Sequence, residues 1–218
     1  MRSRSVIAID GPAGAGKSTV ARRLAARLGY RFLDTGALYR AVTLAVLRAG
    51  IDPSDAGRVA DLAGAAQIAL DPRGTPPRVL LDGEDVSREI RGPAVTRAVS
   101  TVAANPAVRA AMVPFQRAFA DEGGVVAEGR DIGTVVFPDA AMKFFLDADA
   151  AVRAARRALE RGEADVASVE AEIRERDRKD TEREAAPLRA APDAEVVDTT
   201  RLSAEEVVDL LERRVRGA

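Results

Sequence analysis

The sequence predicts an α/β protein built on a doubly wound, parallel five-stranded sheet. Short apolar runs rich in β-branched residues alternate with stretches of helical periodicity, as in strands joined by crossover helices. The first run, residues 5–10, leads into a glycine-rich turn and then into a helical segment. That segment places Val20, Leu24 and Leu28 on one face, and Gly29 follows as a stop signal.

The rest of the chain continues the same alternation. The four other strands of the sheet are predicted at residues 30–33, 124–127, 142–146 and 195–197. Helices are predicted at residues 37–48, 55–66, 96–104, 106–120, 148–161 and 166–183. A capping box formed by Ser203 and Glu206 predicts a closing helix.

Residues 53–100 have a different pattern. Two short apolar runs, residues 68–70 and 78–81, flank a turn-forming segment at residues 73–77. This spacing favours small antiparallel hairpins rather than crossover units. We therefore predict one domain over residues 1–218, with a small α+β subdomain inserted at about residues 60–103.

The composition excludes several kinds of catalytic site. The 218 residues include no histidine and no cysteine, which rules out imidazole catalysis, thiolate nucleophiles and His/Cys zinc sites. The first apolar run is too short for a signal peptide, and without disulfides a cytoplasmic protein is expected. A net charge of -1 gives no general attraction to nucleic acid or lipid. With no heptads, a monomer acting on small molecules is the expectation.

A phosphate-binding loop follows the first strand. The residues from Gly11 to Ser18 satisfy the pattern G-x-x-x-x-G-K-[ST] between a predicted strand and a predicted helix. Backbone N–H groups and the helix N-terminus form an anion site, Lys17 reaches the β- and γ-phosphates, and Ser18 offers Mg²⁺ a hydroxyl. The predicted ATP-binding residues are Gly11, Pro12, Ala13, Gly14, Ala15, Gly16, Lys17, Ser18 and Thr19.

Two other strand ends carry polar residues that would face the same crevice. Thr35 and Arg40 follow the second strand, and two interpretations stand equally: ligand contacts, or a helix N-cap with a surface arginine. Arg130 and Asp131 follow the third strand, where the arginine can hold a phosphate and the carboxylate can accept hydrogen bonds. Glu128 is a candidate for orienting Mg²⁺ or its waters.

The densely charged segment 174–183 has two interpretations. Its composition alone indicates a helix laced with surface ion pairs. However, Arg176, Asp180 and Arg183 fall on one helical face, because spacings of four and three keep them neighbours. Two arginines held by an aspartate are suited to closing over a phosphoryl group in transfer.

The absence of histidine agrees with transfer to an acceptor that is itself a phosphate. Such an acceptor has its second pKa near ~6 and is largely ionised at neutral pH, so it needs no general base. Two rival functions are a P-loop kinase for another small molecule and an ATP-binding regulatory protein without catalysis. The Asn-Lys-x-Asp string by which GTPases read guanine does not occur.

Longer strings resemble those of bacterial cytidylate kinases, a family of nucleoside monophosphate kinases that use ATP to phosphorylate CMP and dCMP. The strings that carry the resemblance are residues 9–18, 33–40, 83–91, 128–139 and 175–188. The resemblance implies an acceptor-binding role for the inserted subdomain and a short helical lid at about residues 157–170. Many relatives carry serine at the position of Thr35, and the extra methyl group bears on the choice between CMP and dCMP.

The resemblance also implies roles for individual residues. Ser100, Arg109 and Asp131 would contact the cytosine, and Thr35, Asp131 and Arg183 would hold the pentose. Arg40 and Arg130 would bind the acceptor phosphate, while Arg176 and Asp180 would help to assemble the closed site. The residues expected to act in catalysis are Lys17, Arg130, Asp131, Arg176 and Asp180, with Mg²⁺ bound through Ser18. The sequence around Ser100 and Arg109 by itself shows only a polar residue in a helix and a helix-surface arginine.

Overall fold

A computed structural model of the protein describes residues 6–71, 74 and 77–217. In this part of the chain the strands, β1 to β8 in chain order, are Val6–Asp10, Arg31–Asp34, Ile68–Asp71, Arg78–Leu81, Glu84–Asp85, Val125–Gly129, Met142–Asp147 and Glu195–Asp198. The α-helices, α1 to α8, are Lys17–Leu28, Thr35–Arg48, Ala56–Ala65, Pro93–Ala104, Pro106–Phe119, Ala150–Arg161, Val166–Glu182 and Ala204–Arg216. The turn predicted at residues 73–77 lies largely outside the described residues.

The chain divides into two compact units. The first, here called the P-loop unit, comprises the described residues 6–33 and 120–217. The second, here called the hairpin unit, comprises Asp34–Phe119. The insertion predicted at about residues 60–103 falls inside the hairpin unit, and its role in binding an acceptor stays a prediction.

The five-stranded sheet has the order β2-β6-β1-β7-β8, which confirms the predicted doubly wound architecture. Strand β1 pairs in parallel with both β6 and β7, and β7 pairs in parallel with β8. Asp10, the last residue of β1, is the register partner of Gly129 at the end of β6. The two segments that follow these residues therefore leave the sheet side by side at its carboxyl edge.

The core of the P-loop unit lies between this sheet and helices α1 and α8. It includes Ile9, Leu24, Phe144, Val197 and Leu211. The five residues of β1 are all buried, as expected for a central strand covered on both faces. The predicted capping box is confirmed, since the Ser203 side chain accepts from the backbone of Glu206 while the Glu206 carboxylate accepts from that of Ser203.

The hairpin unit has its own three-stranded antiparallel sheet in the order β3-β4-β5. The pairing of β3 with β4 is the hairpin that the strand-turn-strand spacing predicted, whereas β5 was not predicted. Val79 and Leu81 of β4 pack with Ala41 and Leu44 of α2 and with Ile90. The residues of this second core are different from those that form the core of the P-loop unit. The hairpins are therefore part of a unit that buries its own apolar residues.

Some helix boundaries differ from the predicted ones for local reasons. Helix α2 begins at Thr35 rather than residue 37, because the Asp34 carboxylate caps it by accepting from the Ala37 N–H at 3.0 Å. Helix α4 begins at Pro93 rather than residue 96, since proline suits the first helical position. After β6, the segment Ile132–Val136 forms a π-helical turn.

Candidate active site

The loop from Gly11 to Gly16 has the backbone of a phosphate-binding loop. Gly11, Gly14 and Gly16 all have positive φ angles, of 148°, 79° and 84°. A Cβ on Gly11 would overlap the carbonyl oxygen of Leu146, so only glycine fits there. Gly16 caps helix α1 without any side-chain hydrogen bond, and the helix N-terminus thus keeps its positive potential for an anion.

Lys17 is a buried cation held by the loop. It is 5% exposed, and its Nζ donates to the carbonyl oxygen of Pro12 at 2.6 Å. Burial, together with the positive charges of Arg130 and Arg176, lowers the pKa of Lys17 to about 7. A polyanion bound nearby would favour the protonated ammonium, so the site is poised to take up a proton with its ligand.

Ser18 and Glu128 join the first turn of α1 to the end of β6. The Ser18 hydroxyl donates to Glu128 Oε1 at 2.6 Å, and Glu128 is buried. The hydroxyl predicted to bind Mg²⁺ therefore lies against a carboxylate. Both are hard oxygen groups of the kind that Mg²⁺ prefers, so the residues present fit that ion.

Asp10 fixes the chain that follows Arg130 and Asp131, a role that no motif in the sequence indicates. Its two carboxylate oxygens accept from the N–H groups of Ile132 and Gly133, each at 2.8 Å. Burial raises the pKa of Asp10 to about 6, although the two backbone hydrogen bonds act in the opposite direction. The end of β1 is thereby tied to the segment that carries Arg130 and Asp131.

Three of the predicted catalytic residues form one charged cluster. Asp180 of α7 lies 3.0 Å from Arg130 Nε and 3.9 Å from Arg176 Nε. Burial opposes ionisation of Asp180, but the charges of Arg130, Arg176 and Arg183 outweigh it and lower its pKa. Burial and the nearby Arg130 lower the pKa of Arg176 to about 10. Guanidinium groups gathered at one carboxylate offer planar, charge-assisted donors of the kind that bind phosphates.

Arg183 and Asp131 form a neighbouring pair, with 3.6 Å between Arg183 Nη2 and Asp131 Oδ1. Arg183 Nε also donates to the carbonyl oxygen of Ala186 at 2.7 Å. Ala186 has a φ of 54°, a conformation that alanine seldom adopts. In this strained conformation the Ala186 carbonyl oxygen faces Arg183, and the hydrogen bond between them holds the guanidinium in place.

The hairpin unit carries the other predicted site residues. Arg40 is 7% exposed, and its Nη1 donates to Ile90 O at 3.1 Å and to Thr96 Oγ1 at 2.9 Å. The alternative of a surface arginine at this position is therefore wrong. Thr35 is buried in the first turn of α2, and the cap of that helix is Asp34.

Arg109 is also buried, contrary to the helix-surface arginine that its local sequence indicated. Its Nη1 donates to the carbonyl oxygen of Ala103 at 3.2 Å, and its guanidinium carbon lies 5.2 Å from the centre of the Tyr39 ring. A planar cation over an aromatic face is held in one orientation. Ser100 lies half-buried on α4.

Comparison with known proteins identifies the family. The family profile described as cytidylate kinase matches residues 7–216. A cytidylate kinase of Mycobacterium avium is 53% identical over 221 residues, covering 99% of this chain and 97% of that protein. One of Geobacillus kaustophilus is 53% identical over 213 residues, covering 96% and 95%. The chain belongs to the cytidylate kinase family.

Membership of the cytidylate kinase family confirms the resemblance carried by the sequence strings and makes the protein a transferase of the kinase class. Among solved structures, the protein TT1252 of Thermus thermophilus has a TM-score of 0.50 and 21% identity, covering 98% of this chain and 96% of that one. That likeness concerns the fold alone. In the described part of this cytidylate kinase family member, no helix is long and apolar enough to span a bilayer.

The structure shows where the site residues predicted from the resemblance to cytidylate kinases lie within each of the two units. It brings Arg130, Arg176 and Asp180 together, and it pairs Asp131 with Arg183. The remaining predicted acceptor residues, which belong to the hairpin unit, are Thr35, Arg40, Ser100 and Arg109. Their contacts with a substrate stay predictions.

Proposed function

We propose that this protein transfers the γ-phosphoryl group of ATP to CMP and dCMP, giving ADP with CDP or dCDP. The observation that carries the proposal is the cluster of Arg130 and Arg176 around Asp180 in the same unit as Lys17 and the phosphate-binding loop. Two facing polyanions require this kind of positive charge. The family's curated members bear the name cytidylate kinase, which supports the choice of base.

The chemistry proposed needs no general base. An oxygen of the CMP phosphate attacks the γ-phosphorus, and the bond from that phosphorus to the oxygen bridging to the β-phosphate breaks, so ADP leaves. Because the acceptor phosphate has its second pKa near ~6, it already carries the attacking negative charge. Lys17 and Arg130 neutralise charge that builds on the phosphates, as phosphoryl transfer requires. Neither step calls for a histidine, and the sequence has none.

Mg²⁺ is part of the proposal. Ser18 would hold the ion through its hydroxyl, and Glu128, which accepts from that hydroxyl at 2.6 Å, would orient it. When bound, the ion neutralises charge on the ATP phosphates. We also propose that the protein acts in the cytoplasm as a monomer without nucleic-acid or membrane partners, in agreement with a cysteine-free chain of net charge -1.

An acceptor panel tests the function. ADP release is coupled to an optical assay, and ATP with Mg²⁺ is offered CMP, dCMP, UMP, AMP, GMP, shikimate or no acceptor. CMP and dCMP should accelerate ADP release well above the rate without acceptor. Acceleration by shikimate or a purine monophosphate alone would mean a different kinase, and no acceleration at all would mean an ATP-binding protein without this activity.

Two variants test the roles of named residues. Lys17→Ala should abolish transfer, because backbone amides alone do not neutralise the γ-phosphate. Arg130→Ala should mainly weaken the use of CMP, with the KM for CMP rising more than the KM for ATP. Near-normal turnover in the first variant, or an unchanged dependence on CMP in the second, would remove that residue from the site.

A further inference from the structure

Two charged residues outside the predicted site hold the phosphate-binding loop at Ala13. The Ala13 N–H donates to Asp177 Oδ1 at 2.9 Å, and the Ala13 carbonyl oxygen accepts from Arg153 Nη1 at 2.8 Å. Asp177 Oδ2 and Arg153 Nη1 form an ion pair with each other. One residue of the loop is therefore gripped on both of its backbone polar groups by a single acid–base pair.

The pair is shielded from water and anchored elsewhere. The side chains of Arg153 and Asp177 are 11% and 16% exposed. Arg153 Nε donates to the carbonyl oxygen of Ala148 at 2.9 Å, just before helix α6. The guanidinium is thus fixed at two points besides Ala13. Charge-assisted hydrogen bonds with this little exposure are stronger than surface pairs, so this contact differs from the exposed pairs along the rest of α7.

Packing around Ala13 reinforces the same contact. Ala13 lies in an apolar cluster with Ala154 and Ala158 of α6 and with Val169 and Ile173 of α7. Asp177 follows Ile173 by four residues and Val169 by eight, so all three lie on one face of α7. The face of α7 that buries its apolar residues therefore also carries the carboxylate to the loop.

The neighbouring Gly14 shows how closely the loop approaches α6. A Cβ added there would lie 2.7 Å from the Arg153 carbonyl oxygen and 2.9 Å from its Cβ. Because backbone atoms cannot yield as a flexible side chain does, the loop rests directly on the first turn of α6. The peptide at Ala13 is consequently oriented by α6 and α7 together.

From these contacts we propose that Arg153 and Asp177 are positioning residues that fix the Ala13 peptide and thereby set the affinity of the loop for the triphosphate. With the Ala13 N–H directed to Asp177, the amides available to phosphate begin at Gly14. Asp177 also follows Arg176 directly, so the residue that grips the loop adjoins one that contacts Asp180 at 3.9 Å. The inference rests on the proposed use of ATP as donor.

The test measures binding separately for the two nucleotides. Dissociation constants for Mg-ATP and for CMP are determined by calorimetry, and Tm by scanning, for the parent and for Asp177→Ala. Losing the charged acceptor should weaken ATP binding by about 10-fold while CMP binding changes by less than about 2-fold. Asp177→Asn, which keeps an oxygen for the Ala13 N–H, should recover most of the ATP affinity. If the alanine variant does not fold, Arg153→Gln, which loses the Nη1 contact with the Ala13 carbonyl oxygen, takes its place and should show the same selective loss of ATP affinity.

Glu175→Ala is the matched control, since it removes a carboxylate from the same helix where it pairs with the exposed Arg178. The control should bind both nucleotides as the parent does. ATP affinity in Asp177→Ala equal to that of the control would overturn the proposal, as would an equal loss of ATP and CMP affinity, which means a purely structural role. A parent protein that binds no ATP would instead refute the proposed function.

Discussion

Removing Asp180 should destabilise the P-loop unit by leaving buried cations without their counter-charge. Asp180 is 4% exposed and lies 3.0 Å from Arg130 Nε. Taking one partner from a buried ion pair costs about 3–5 kcal/mol, and because Arg176 is 24% exposed and partly screened, the lower end applies to Asp180→Ala. A loss of about 3 kcal/mol lowers the Tm of a chain this size by about 6–12 °C.

The assay is thermal unfolding in a low-salt buffer free of phosphate, with and without added inorganic phosphate. Phosphate supplies the missing negative charge, so it should raise the Tm of Asp180→Ala more than that of the parent. Glu182→Ala, which removes a carboxylate paired with the exposed Arg178 on the same helix, should unfold close to the parent. A fall in Tm below about 3 °C, or equal responses to phosphate, would refute the reasoning.

Three further predictions follow from the site. Because the pKa of Lys17 is about 7, Mg-ATP binding at pH 8 should take up about 0.9 proton, seen as a dependence of the calorimetric enthalpy on buffer ionisation; Lys17→Ala should show no uptake. The pKa of Asp10 is about 6 in the folded protein, above the value of 3.8 expected in the unfolded chain. The contribution of protonated Asp10 to the free energy of unfolding is therefore fully present below pH 3.8 and is lost as the pH rises through 6. As the pH rises from 4.5 to 7, the free energy of unfolding of Asp10→Asn relative to that of the parent should therefore increase by about 2 kcal/mol in denaturant titrations. The same pH dependence in both proteins would contradict this. Thr35→Ser should change the ratio of kcat/KM for CMP and dCMP without changing the KM for ATP, whereas an unaltered ratio would remove Thr35 from the pentose site.

The sequence was sufficient for the features that depend on local spacing. The phosphate-binding loop, the alternation of strands and helices and the capping box at Ser203 are all encoded in short windows. The start of α2 was also within reach, because an aspartate three residues before Ala37 is an N-cap signal. The strand order was not, since nothing local places β6 between β1 and β2.

Buried arginines account for most of what the sequence could not reveal. Arg40 is held by Ile90 and Thr96, which lie 50 and 56 residues away, and Arg153 is held by Ala13 at a separation of 140. In a chain this rich in arginine, the local sequence around an arginine on a helix predicts only a solvated side chain. Asp10 was missed for a related reason, because its partners are backbone amides far along the chain rather than a recognisable side-chain motif.

Helix α7 carries Arg176, Asp177 and Asp180 on one side and faces water on the other, and the water-facing side offers a place to attach a probe. Arg178 points to solvent, with a side chain that is 54% exposed and paired only with glutamates in the described contacts. Since the sequence contains no cysteine, Arg178→Cys would create a unique thiol for a fluorophore. A dye there would report on the surroundings of this helix during nucleotide titrations while leaving Arg176, Asp177 and Asp180 chemically untouched.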